Sequence, residues 1–156
     1  MQSRARTHVL RPAALRPSVS RRPPLVGAPA SDALADCVEA CFDCAQTCIS
    51  CAEASLDEEG AAALGHCIQL TLDCANACAA TGPALSRSVH ASPALIRHLV
   101  ETCAELCRAC ADECDRHAGD HQQCHIAAEA CRTCEQSCER VAMAVTGAVA
   151  PYTARA

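Results

Sequence analysis

The chain has 156 residues, sixteen of them cysteine, with one phenylalanine, one tyrosine, no tryptophan and a formal net charge of −5. That length suits one domain with a modest core, and so few aromatics exclude a core packed in the usual way. Residues 1–30 carry six arginines and no acid, whereas residues 31–156 carry seven arginines and all 18 acids, a split of +6 against −11. An acidic body excludes nucleic acid as the expected partner and favours attraction of cations.

Residues 1–30 read as a separate piece. Arg4, Arg6, Arg11, Arg16, Arg21 and Arg22 alternate with Pro12, Pro17, Pro23, Pro24 and Pro29, a composition that opposes a packed fold. Ser20-Arg21-Arg22 resembles a twin-arginine export signal. The segment that follows, Pro23-Pro24-Leu25-Val26-Gly27-Ala28, is too short and proline-broken for the ~7–15-residue apolar region of a signal peptide. The expectation is a disordered tail or a degenerate export signal. No run approaches the ~18 apolar residues of a membrane span, so no membrane partner is expected.

Punctuation then divides residues 31–147 into four predicted helices. Ser31 and Asp32 can cap the first, which runs to about Leu56, before the turn Asp57-Glu58-Glu59-Gly60. The second covers roughly Ala61 to Ala80 and is expected to stop at Thr81-Gly82-Pro83. Ser92-Pro93 supplies an N-cap and a first-turn proline for the third, which extends to about His117. Gly119-Asp120 closes that helix and caps the fourth, which continues to Thr146-Gly147; residues 148–156 form a short C-terminal tail. No alternating Val, Ile and Thr runs read as strands, and the fold class is all-α.

Each helix carries one version of the same seam. Cys37, Cys41, Cys44, Cys48 and Cys51 are spaced by four, three, four and three residues. That rhythm averages about 3.5 residues and lays five sulfurs along one stripe, about 21 Å long. The second helix repeats it with Cys67, Cys74 and Cys78, and Thr71 fills the remaining place. The third has Cys103, Cys107, Cys110 and Cys114, with Ile96 and Val100 continuing the stripe; the fourth has Cys124, Cys131, Cys134 and Cys138, with Ala127 in the gap and Val141 and Val145 beyond. Short turns make helices one and two, and three and four, antiparallel hairpins. Two such hairpins pack into an antiparallel four-helix bundle with a sulfur-lined interior, plugged at one end by Ile96, Val100, Val141 and Val145.

Cysteine is a small buried hydrophobe when reduced, but packing alone does not require it at every core place of a helix. Disulfides are the next alternative. Neighbours three or four apart on a helix have roughly parallel Cβ directions, which fits disulfide geometry poorly, although bridges between helices remain open in an oxidising compartment. Zinc needs four ligands in a tetrahedron, which two cysteines from each of two helices could supply. Iron–sulfur clusters usually draw on loop cysteines, whereas the Cys41–Cys44 and Cys131–Cys134 steps belong to the heptad rhythm.

Cu(I) fits best. Soft thiolates select it, and metal–sulfur lengths of roughly 2.3 Å place two sulfurs ~4–5 Å apart in a nearly linear pair. Residues at i and i+4, with Cβ atoms about 5–6 Å apart, can bracket one ion; Cys37/Cys41, Cys44/Cys48, Cys74/Cys78, Cys103/Cys107, Cys110/Cys114 and Cys134/Cys138 are such pairs. Charge points the same way. One Cu(I) per thiolate leaves the interior near neutral, while zinc with four thiolates leaves about −2 per site. The expected capacity is about one Cu(I) per cysteine, and loading must release thiol protons.

The ends of helices one and three and the starts of two and four meet at one end, where His66, His117, His121 and His125 gather. His117 continues the third stripe and His121 lies one turn before Cys124; these two are the candidate residues for the copper entrance. His90 and His98 belong to the opposite end. Two further readings are a general thiolate buffer for zinc or cadmium, metallothionein-like, and a thiol oxidoreductase. The second would need an open site with a distinct acid, base or resolving thiol, and the uniform seam offers no such asymmetry.

Taken together, Cys-x3-Cys and Cys-x2-Cys steps on four helices resemble the bacterial copper storage proteins over about residues 32–146. The resemblance implies that all sixteen seam cysteines are Cu(I) ligands, with sites missing near Thr71 and Ala127. It implies storage of many Cu(I) ions without catalysis and association into a homotetramer. Copper would be exchanged with a copper chaperone or a low-molecular-weight thiol. Members of the family are either exported, with Met near the mouth, or cytosolic, with His there. This chain has only Met1 and Met143, so its His-rich mouth implies the cytoplasmic kind, with twin-arginine export as the alternative.

Overall fold

In a computed structural model, residues 28–88 and 91–147 are described. Four long helices account for most of them: α1 (Ala28–Leu56), α2 (Gly65–Ser86), α3 (Pro93–His117) and α4 (Gln122–Gly147). No strand occurs among the described residues. The expected tails, residues 1–30 apart from the helical 28–30 and residues 148–156, lie outside the described residues, as does His90.

The helices close into a four-helix bundle in which α1 packs on α2 and α4, and α3 packs on the same two. The heptad seams explain the arrangement, because each helix has one core-facing stripe and two neighbours to share it with. The turn from α1 reverses at Gly60, whose φ of 93° lies in the left-handed region that suits glycine. Ser92 caps α3 as expected, its hydroxyl accepting from the Leu95 N–H at 3.2 Å, with Pro93 at the first position.

Four boundaries differ from the sequence reading. Helix α1 starts at Ala28, so Ser31 and Asp32 sit within it rather than capping it; first-turn N–H groups have no helical acceptor, so Pro29 breaks no bond there. Residues Ala61–Leu64 form a 3-10 turn, and α2 proper begins at Gly65. At the other end α2 does not stop at Thr81-Gly82-Pro83 but continues to Ser86 with Pro83 inside it. The extra turn buries Thr81, Gly82 and Leu85 against the plugged end of the bundle. Burying a leucine contributes about 1.5–3 kcal/mol, which offsets most of the ~3 kcal/mol a mid-helix proline costs. Finally, α4 begins at Gln122, which puts His121 rather than Asp120 at its capping position.

The plug is as the stripes predict: Val100, Val141 and Val145 are buried and Ile96 packs against them. Outside, Arg108 donates to Glu135 at 2.6 Å and Glu139 at 3.2 Å, and Arg132 pairs with Asp112, Asp115 and Glu135. These ion pairs clasp α3 to α4.

Candidate metal centre

All sixteen cysteines point inward, none more than 2% exposed, and none is in a disulfide. Starting from the plug, Cys37 lies 3.6 Å from Cys138 and Cys41 lies 3.8 Å from Cys134 (Sγ to Sγ). Cys78 reaches Cys107 at 3.6 Å and Cys103 and Cys134 at 3.7 Å. Cys74 is 3.6 Å from Cys107 and 3.7 Å from Cys131, and Cys48 is 3.5 Å from Cys131. Nearest the mouth, Cys67 is 3.7 Å from Cys114 and 3.9 Å from Cys124.

These separations are far longer than the ~2.05 Å of a disulfide and suit sulfurs that share a metal. Of the helical pairs proposed as brackets, Cys44 and Cys48 meet at 3.9 Å; every shorter contact given above crosses between helices. Facing knobs of a heptad bundle interdigitate more closely than side chains stacked one turn apart. Three four-sulfur groups have all their sulfurs within 4.8 Å of one another: Cys41, Cys103, Cys134 and Cys138; Cys44, Cys78, Cys107 and Cys134; and Cys44, Cys48, Cys74 and Cys131. The middle group shares Cys134 with the first and Cys44 with the last, so the three are continuous rather than separate sites.

Two seam places interrupt the sulfur. Thr71 and Ala127 are both fully buried. The Thr71 hydroxyl donates back to the Cys67 and Ile68 carbonyls at 3.0 and 2.9 Å. It is thereby turned away from ligand duty, and the two side chains leave gaps in the α2 and α4 stripes, while Cys110 and Cys114 on α3 keep the mouth sulfurs joined to the rest.

Burial and mutual contact set the thiols' proton affinity. For Cys124, burial comes first and the nearby Cys51 adds to it, pushing the thiol up from 9.0 to about 11. At Cys37 the Cys138 hydrogen bond pulls down, but the Cys41 contact and burial outweigh it and the thiol reaches about 12. In the middle, hydrogen bonds from Cys107 and other neighbours pull Cys44 and Cys103 below the ordinary thiol range. Their neighbours Cys78 and Cys131 are pushed above it, chiefly through contacts with Cys103 and Cys110 respectively. Protons are thus shared along a connected column.

The histidines divide into two classes at the mouth. The His117 and His121 rings lie edge to face with centroids 6.4 Å apart, and each side chain is about three-quarters buried, 25% and 24% exposed. Glu113 Oε1 faces His117 Nε2 at 3.3 Å, and Arg116 pairs with the same carboxylate. Glu58 Oε1 faces His121 Nδ1 at 3.4 Å and accepts from Gln123 at 3.1 Å. Each ring therefore keeps its other nitrogen free of these contacts, an orientation of the kind that carboxylate partners impose on metal-binding histidines. His125 is paired with Glu129 on the outside, and His66 is exposed.

Three mouth residues escaped the sequence reading. Glu113 sits beside Cys114 and four before His117, a spacing that pointed to it. Ser55 sits four after Cys51 and continues the α1 seam. Glu58 carried no signal, because it meets His121 from a turn 63 residues away.

The family described as copper storage protein matches residues 30–143. No curated protein sequence matches the chain significantly. Among solved structures, a cytosolic copper storage protein from Streptomyces lividans carrying five coppers is 45% identical, with a TM-score of 0.72, covering 73% of this chain and 95% of its own. The Streptomyces lividans protein loaded with 10 copper equivalents is 43% identical, with a TM-score of 0.75, covering 80% of this chain and 94% of its own. A Cu(I)-bound copper storage protein, BsCsp3, is 34% identical, with a TM-score of 0.63, covering 72% and 98%.

Proposed function

The chain belongs to the copper storage protein family, and we propose that it binds and stores many Cu(I) ions through the thiolates of its core. The observation that carries this reading is the continuous column of buried sulfurs in contact at 3.5–3.9 Å. Each of Cys37, Cys41, Cys44, Cys48, Cys51, Cys67, Cys74, Cys78, Cys103, Cys107, Cys110, Cys114, Cys124, Cys131, Cys134 and Cys138 is a ligand. A sulfur that bridges two univalent ions keeps the dry interior near neutral. His117 and His121 receive copper at the mouth and pass it inward, steered by the acidic surface.

Zinc buffering is the weaker reading. Tetrahedral zinc needs four ligands of its own, yet the middle sulfur group shares members with both others. Thiol oxidoreduction is disfavoured because no sulfur stands apart with an acid or base of its own. The unit that stores copper is residues 31–147; residues 1–30 and 148–156 are appendages to it. The histidine mouth assigns the protein to the cytoplasm, where it exchanges copper with a copper chaperone or a low-molecular-weight thiol. Phe42, Ile49 and Leu56 leave an apolar stripe exposed on the outside of α1, which supports association into a homotetramer.

The test is anaerobic titration of the reduced protein with Cu(I) and Zn(II), with bound metal counted by mass. About one Cu(I) per cysteine is expected, with zinc displaced by copper. Saturation at two or three Cu(I), or zinc retained against copper, would sink the storage reading.

A further inference from the structure

Ser55 is the one seam position whose chemistry the sulfur column leaves unexplained. It follows Cys51 by four residues on α1 and is 1% exposed. Its Oγ is buried with no hydrogen-bond partner among the described residues. Other hydroxyls on these helices avoid that state: Thr47, Thr71 and Ser86 each donate to the carbonyl four residues back, at 2.7, 3.0 and 3.0 Å. Ser55 does not, although that partner is equally close in sequence. A buried unpaired hydroxyl is destabilising, so its presence calls for a partner that arrives later.

The surroundings name that partner. At the mouth the last sulfurs are Cys51, Cys67, Cys114 and Cys124, beyond the Thr71 and Ala127 gaps in the α2 and α4 stripes, with Cys67 touching both Cys114 and Cys124. We propose that Ser55 is a positioning residue of this layer: its O–H donates to the Cys51 or Cys124 sulfur once Cu(I) is bound. The four mouth sulfurs and Ser55 then form the first cluster to fill. A hydroxyl aimed at a charged sulfur gains more than one aimed at a neutral thiol, so the bond strengthens as the thiol proton leaves for solvent and copper takes its place.

This inference rests on the storage reading, and the experiment separates the two. Ser55→Ala is compared with wild type and with Ser50→Ala, an exposed hydroxyl on the same helix. Reduced proteins are titrated anaerobically against a chromophoric Cu(I) chelator, total capacity is counted by mass, and the thermal midpoint of the metal-free protein is recorded. In Ser55→Ala the first ~4 equivalents, one per mouth sulfur, are expected to be held about tenfold more weakly. Capacity is unchanged and the metal-free midpoint stays level or rises. First equivalents bound as tightly as in wild type overturn the role of Ser55. A fall in the metal-free midpoint with uniform weakening at every equivalent overturns it too, by assigning Ser55 to the fold. Failure of wild type itself to take up many ions overturns the storage reading instead.

Discussion

At the residue scale, cysteine serves here in two capacities. As a thiol it is a small apolar group that lets a core almost free of large side chains close, and as a thiolate it is a soft ligand. His117 and His121 sit where the column meets solvent. His117 and His121 are held by Glu113 and Glu58, each through one nitrogen. Replacing both with Ala is expected to slow Cu(I) loading about tenfold, the lower end of what losing ligand-orienting groups produces, with capacity unchanged. Stopped-flow mixing with a Cu(I) donor checks this, and loading at the wild-type rate would remove their role. The pattern of sulfur was legible in the sequence because a side-chain repeat of about 3.5 residues dictates facing. Ser55 was also within reach of that logic, as a continuation of the α1 stripe, and Glu113 through its place beside Cys114 and four before His117. Glu58 was not, because nothing local ties it to His121.

At the element scale, each helix is decided by what its outer turns bury. The Gly82-Pro83 pair reads as a stop, yet α2 runs through it because Leu85 and Thr81 gain cover at the plug. Gly82 is there for proximity: a Cβ added to it would meet Cys41 Cβ at 3.2 Å and the Phe42 ring at 3.5 Å. Gly82→Val is therefore expected to push α1 from α2 and lower stability by about 1–3 kcal/mol. Urea unfolding of the metal-free protein measures it, and an unchanged midpoint would mean the two helices yield without loss. Crowding between helices of this kind is invisible to a local helix-end rule, which explains why that boundary was misread while the Ser92-Pro93 start was not.

At the scale of the whole molecule, the interior is a proton store as well as a metal store. Cys37 and Cys124 are raised from 9.0 to about 12 and about 11. The folded state thus binds their protons more tightly than the unfolded chain does. The stability this contributes is complete below pH 9.0 and is lost as pH rises through about 11 to 12. The metal-free bundle should lose thermal stability across that alkaline window, measured by circular dichroism melts. Copper reverses the balance, since each thiol loaded gives up a proton; apparent Cu(I) affinity should therefore rise with pH between about 6 and 9. Competition titrations at several pH values check the sign, and a flat profile would contradict proton-coupled loading.

What the sequence determined alone was the set of core-facing atoms, because a heptad rhythm fixes which side chains share a face whatever the helices pack against. From sulfur softness and charge balance it also determined the ion such a core suits. Only the tertiary structure decided which sulfurs touch. The close pairs cross between helices, since interdigitation brings facing residues nearer than a helical turn can. It alone brought Glu58 to His121, carried α2 past its proline and left Ser55 buried without a partner beneath the mouth. Each of these depends on a neighbour distant in sequence, and such neighbours are set by packing rather than by local pattern.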